Sequence, residues 1–143
     1  MNRLYPNAPI CAVGGIIFED DQVLLIRRGH PPAQGKWSIP GGVVQLGETL
    51  EEALCREMVE ETSLEVKVLK PARILDRIER DPEGRIYTHF VIVDFFCEIL
   101  SGKASPGSDA AAAAFFRVMD LEALEMTTGT ADVIREGYRE WKK

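Results

Sequence analysis

The strongest constraint on this chain is one helix whose two ends are written into its sequence. Thr49 is followed three residues later by Glu52, a spacing at which hydroxyl and carboxylate satisfy the free N–H groups of a helix start. Glu48, Glu51 and Glu52 suit the positive end of the helix dipole there. The pattern predicts a helix from about Leu50 to Thr62. Strand-like runs flank it. "AVGGIIF" and "QVLLIRR" read as two strands around the turn "EDD", and "WSIP" is a short extended piece running into Gly41-Gly42. "LEVKVLKPARILDRIER" reads as one long strand or two, with Pro71 as a bulge or break. "DPEGR" is a turn before "IYTHFVIVDFFCEIL", the most strand-like run of all. "SGKASPGSD" reads as a flexible loop, Ala110 to Ala114 as the start of a strand finished by "AFFRVM", and "TADVIREGYREWKK" as a closing amphipathic helix weakened by Gly137. Many strands with two helices give an α+β class with a mixed sheet.

Length and charge narrow the function. A chain of 143 residues favours one domain, 1–143, and 45% apolar content supplies a core. A net charge of −6 argues against nucleic acid as a partner, because phosphate backbones recruit basic surfaces. No apolar run approaches a membrane span, so no membrane partner is expected. The start "MNRLYPNAPI" lacks the apolar core of a signal peptide. Cys11, Cys55 and Cys97 are scattered and odd in number, which reads as free thiols and a cytoplasmic location.

The second half of the helix is written against its own stability. Glu57, Glu60 and Glu61 lie three and four residues apart, so their carboxylates share one side and repel. They also oppose the negative end of the dipole. A solvated acidic face is one reading. The other is a site for a hard divalent cation, Mg²⁺ or Mn²⁺. Arg56 is the only basic residue between Lys36 and Lys67, so the acids are barely neutralised within the segment. Pro40-Gly41-Gly42 lies just upstream, where glycine lets a backbone carbonyl approach a ligand.

These residues resemble the signature of the Nudix (MutT-like) hydrolases, G-x5-E-x7-R-E-U-x-E-E-x-G-U with U aliphatic. Gly42, Glu48, Arg56, Glu57, Met58, Glu60, Glu61 and Leu64 occupy its positions, and Ser63 stands where the family has glycine. The flanking "LLIRRG…GKWSIPGG" and "HFVIVDFF…SDAAAAAFFRVMDLEAL" are similar in layout to small ADP-ribose pyrophosphatase-type members. The resemblance implies the Nudix fold, a mixed β-sheet sandwiched between helices. It implies metal binding by Glu57, Glu60 and Glu61 with the Gly41 carbonyl. Arg56 would orient the acids through Glu48 or Glu57, and Glu60 would handle the proton of the attacking water. Many relatives carry a further glutamate after the box. The matching stretch "SDAAAAAFF" has alanines, leaving Asp109 as its only acid.

Other residues carry two readings each. Trp37 either stacks on a base or sugar or belongs to the core. Arg27 and Arg28 alternate across a strand, so one of them, taken as Arg28, faces the active side and can meet a phosphate. Asp109 joins Arg28 and Trp37 as a candidate substrate contact. His30 and His89 lack a ligand partner at metal spacing, and Cys55 falls on the helix side away from the acids. The expected activity is hydrolysis of the diphosphate of a small nucleotide substrate, ADP-ribose first, yielding AMP and ribose 5-phosphate. The alternatives are a nucleoside triphosphate pyrophosphohydrolase and a non-catalytic ligand sensor. A homodimer is compatible with all three.

Overall fold

The structure is a computed structural model that describes residues 3–30, 33–107 and 110–143. Its strands are β1 (Ile10–Ile16), β2 (Phe18–Glu19), β3 (Gln22–Arg28), β4 (Trp37–Ser38), β5 (Gly41–Val43), β6 (Glu65–Arg80), β7 (Ile86–Ser101) and β8 (Ala110–Arg117). Helix α1 spans Leu50–Thr62 and α2 spans Thr130–Trp141, with a 3-10 segment at Val118–Ala123 between β8 and α2. One sheet is mixed, in the order β5-β1-β7-β6, with β1 and β7 parallel and the other pairs antiparallel. In the second sheet β3 pairs antiparallel with β2 and β4, and also with β8. The class is α+β, as the sequence implied.

Alternation along the strands divides the core in two. Val13 and Ile17 face α1, where Ala53, Leu54 and Met58 pack with Leu64, Val93 and Phe95. Ile16 points the other way and joins Phe18, Val23, Phe96, Val133 and Ile134 around α2. Each large side chain buried this fully contributes about 1.5–3 kcal/mol. The two helices thus cover opposite faces, which is the expected sandwich. Gly137 does not break α2. It is buried beside Phe96 and Ile16, where a Cβ would fall 3.5 and 3.6 Å from their side chains.

Several boundaries differ from expectation for local reasons. Pro71 interrupts β6 only as register shifts on either side of it. The strand lies at the sheet edge, where a missing N–H is tolerated. β8 begins at Ala110 and ends at Arg117, so Val118 and Met119 belong to the 3-10 segment instead. The described part of the "SGKASPG" loop is tethered rather than loose. Ser105 and Gly107 donate their N–H groups to the carbonyls of Thr62 (3.0 Å) and Glu61 (3.1 Å). Those are carbonyls that a helix C-terminus leaves without intrahelical partners.

Both ends of α1 are built as its sequence requires. The Glu52 N–H donates to Thr49 Oγ1 at 3.1 Å, and the Thr49 N–H donates to Glu52 Oε1 at 2.9 Å. Ser63 ends the helix in the left-handed conformation, φ 65° and ψ 19°, its N–H donating to the Val59 carbonyl. Its hydroxyl makes only a 3.3 Å bond to the Ser105 carbonyl. A residue with a Cβ is strained there by roughly 1 kcal/mol. Ser63→Gly is therefore expected to raise stability by up to about 1 kcal/mol, an increase in Tm of about 3 °C. A lower Tm in a thermal melt would show that the Ser105 contact outweighs the strain.

Candidate active site

The acids of α1 lie against β5, and the contact depends on glycine. A Cβ on Gly42 would fall 2.4–2.7 Å from the Glu57 carboxylate, so only a bare Cα lets that side chain settle on the strand. Glu61 goes further in. It is 8% exposed, and its Oε1 accepts the Gly41 N–H at 2.6 Å. Glu60 is the most open of the three, its side chain 37% exposed against 12% for Glu57. A purely solvated face would leave all three in water.

Arg56 holds this arrangement together. Its Nε and Nη2 donate to the two oxygens of Glu48 at 2.7 and 2.9 Å. Nη1 donates to Glu57 at 2.8 Å and to Glu60 at 3.2 Å, and Nη2 also reaches the Val43 carbonyl at 3.1 Å. Such fork-to-carboxylate geometry is the strong form of the bond. The hydrogen bond to Glu48, and then that to Glu57, raise the guanidinium above its ordinary pKa. In return Arg56, followed by the Gln45 N–H, holds Glu48 below the usual carboxylate range. The expected partners of Arg56, Glu48 and Glu57, are both present.

In kind these donors suit a hard divalent cation. As the side chains stand, no three acid, imidazole or thiol groups among the described residues converge on one point. Arg56 occupies oxygens of Glu57 and Glu60, and Gly41 occupies one of Glu61. A cation would compete with those bonds, most easily for Glu60.

Gly41 also lines a cavity of about 150 Å³, together with Arg28. Burial lowers the pKa of Arg28, opposed by the attraction of Glu61. Arg27 is exposed and sits 5.9 Å over the Trp37 ring, so of the two Arg28 is the one that lines the cavity. Trp37 itself is not among the residues lining the cavity. Its ring packs edge-on against Phe116 at 4.7 Å, and its backbone pairs with Glu125 and Thr127. Of its two readings, the structure places it in packing. Asp109 lies outside the described residues. The "DPEGR" segment is a hairpin turn, in which Asp81 accepts the N–H groups of Glu83 and Arg85. Cys55 packs toward Val66, away from the acids.

Sequence reasoning missed Asp94. It is 3% exposed, lines the cavity, and its carboxyl is pushed up to about 6 by burial, with Arg73 and Arg77 pulling the other way. The available signal was one acid interrupting the apolar run "FVIVDFF".

Two outcomes follow from these contacts. Arg56→Lys keeps the charge but gives up the fork, and is expected to cost about 1–3 kcal/mol in denaturant titration. Asp94 has a pKa raised from 3.8 to about 6, so between these values the folded state binds more protons than the unfolded. Its contribution to stability therefore falls as pH rises from about 4 to about 6, and the penalty is complete above that. Asp94→Asn should be more stable than the parent at pH 7.5, by up to about 3 kcal/mol, and equal to it near pH 4. Thermal melts at the two pH values test this, and a gain independent of pH would contradict it.

Comparison with known proteins bears on the same residues. Residues 9–137 match the family model described as NUDIX domain. The chain is 39% identical over 140 residues to an ADP-ribose pyrophosphatase of Methanocaldococcus jannaschii, covering 98% of this chain and 78% of the relative. The structure of a MutT NUDIX hydrolase from Burkholderia pseudomallei superposes with a TM-score of 0.79 at 27% identity, covering 91% of this chain and 98% of that one. An ADP-ribose pyrophosphatase from Streptococcus suis superposes with a TM-score of 0.77 at 25% identity, covering 95% and 94%. With its capped acidic helix set against the Gly41–Gly42 strand, the chain belongs to the Nudix family of pyrophosphohydrolases.

Proposed function

We propose that residues 1–143 act as one catalytic domain that hydrolyses the diphosphate of ADP-ribose, using Mg²⁺ or, in its place, Mn²⁺. The observation that carries this reading is the seating of Glu57 and Glu61 on Gly42 and Gly41. Acids held against a strand in this way are poised for a ligand rather than dispersed in water. The preference for ADP-ribose draws support from the identity with the Methanocaldococcus pyrophosphatase along nearly the whole chain.

Glu57, Glu60, Glu61 and the Gly41 carbonyl would hold the cation. Bound there, a divalent ion supplies charge neutralisation and a water of lowered pKa. The chain's own residues do the rest. Arg56 fixes Glu57 and Glu60 in register and offsets their repulsion. Glu60, the most exposed acid, takes the proton of the attacking water. Arg28, in the cavity lining beside Gly41, meets a phosphate oxygen. Water adds to one phosphorus as the bridging P–O bond breaks, giving AMP and ribose 5-phosphate.

The test is a nucleotide panel with Mg²⁺, products separated by chromatography. ADP-ribose should yield AMP and ribose 5-phosphate, with the label of ¹⁸O water on one product phosphate only. Glu60→Gln should lower kcat by about 100-fold or more with an unchanged or slightly higher Tm, because one like-charge repulsion is removed. Release of pyrophosphate from a nucleoside triphosphate, with ADP-ribose untouched, would replace the substrate by the triphosphate class. Binding of ADP-ribose without turnover of any nucleotide would mark a sensor.

A further inference from the structure

The cavity behind Gly41 is more than a gap between the two sheets. Asp94 stands in its wall with 3% exposure. Gly14 makes room for it, since a Cβ there would fall 2.3 Å from Asp94 Oδ1 and 2.9 Å from the Ile39 side chain. No hydrogen bond to the Asp94 carboxylate is found among the described residues. The two nearby arginines are engaged elsewhere. Arg73 pairs with Glu136 at 3.4 Å, and Arg77 donates to the Thr128 carbonyl at 2.6 Å. A buried carboxylate that keeps its full acceptor capacity is costly unless something donates to it.

The surroundings restrict what that donor can be. Among the described residues Asp94 is the only acid in the lining, so a divalent cation would find one carboxylate there rather than the several oxygen ligands it requires. Arg28 and Arg77 line the same space, which disfavours a cationic group. An anionic group set against Asp94 would meet the carboxylate itself. Among the described residues no aromatic side chain lines the cavity, so a flat base would find no stacking platform there. A neutral group with adjacent O–H donors satisfies every condition. Two vicinal hydroxyls match the two oxygens of a carboxylate, the same chemistry by which an acidic side chain holds a ribose in dinucleotide folds.

We propose that Asp94 is a specificity-determining residue that accepts hydrogen bonds from the vicinal diol of a ribose placed in this cavity. The assignment rests on the reading of the neighbouring acids as a nucleotide hydrolase site. Gly41 belongs to both, donating its N–H to Glu61 and lining the cavity. A diphosphate over the acids can therefore send an attached sugar past that strand. ADP-ribose carries vicinal hydroxyls on both of its sugars, the nucleoside ribose and the terminal ribose.

The experiment compares kcat/KM for ADP-ribose with that for two analogues, each lacking the 2′-hydroxyl of one ribose. The parent enzyme should favour ADP-ribose over one analogue by tenfold or more, carried mainly by KM, and that analogue identifies which ribose is read. A site built to bond a hydroxyl rejects the analogue without it. In Asp94→Asn this ratio should collapse toward one, through loss on ADP-ribose and little change on the analogue. Tm at neutral pH confirms that the variant is folded. If the parent cleaves ADP-ribose and both analogues equally, or if Asp94→Asn keeps the discrimination, the diol assignment is overturned and the hydrolase reading stands. If the parent cleaves no nucleotide, the hydrolase reading falls and takes the diol assignment with it.

Discussion

The guanidinium of Arg56 is the interaction on which the acidic helix depends. Without it Glu57 and Glu60 would face each other at a helix end that already disfavours negative charge. One planar cation ties both to Glu48, which lies before the helix, and to the Val43 carbonyl, which lies on β5. The bond set joins loop, strand and helix at one point. A lysine could neutralise the charge but could not span those directions.

Strand β5 is the other half of that joint. Gly41 has the backbone of Val13 and Gly14 pressed against it, where a Cβ would lie 2.1 Å from the Val13 carbonyl oxygen. One of its faces serves Glu61 and another the cavity that holds Arg28 and Asp94. A three-residue strand thereby relates two chemically unlike spaces, one rich in carboxylates and one lined by Arg28, Arg77 and Asp94. The two helices stabilise this from opposite sides, since each covers its own core cluster.

The parts of this arrangement that are local in sequence were legible there. The bounds of α1 follow from Thr49, Glu52 and the position of Ser63, each acting within one helical turn. The acid spacing and Arg56 follow from the same periodicity. Asp94 was not legible, because its burial is decided by Gly14 on a parallel neighbour, β1, far away in the chain. Trp37 was ambiguous for the same reason. Only the pairing of β3 with both β4 and β8 brings Phe116 against it. Gly137 reads as a helix breaker in isolation and as a close contact with Phe96 once the sheet is present.

The docking of Ser105 and Gly107 on the last carbonyls of α1 has a consequence for how the chain acquires its shape. Ser105 lies 42 residues beyond Ser63, and the whole β6–β7 hairpin intervenes. Gly107 approaches so closely that a Cβ would fall 1.8 Å from the Glu60 carbonyl oxygen. The capped start of α1 is satisfied by neighbours within one turn. The Glu61 and Thr62 carbonyls at its acidic end gain these further partners only where the chain returns from the hairpin, across a loop whose closure costs more the longer it is. The end of the helix that carries the acids thus leans on a segment distant in sequence.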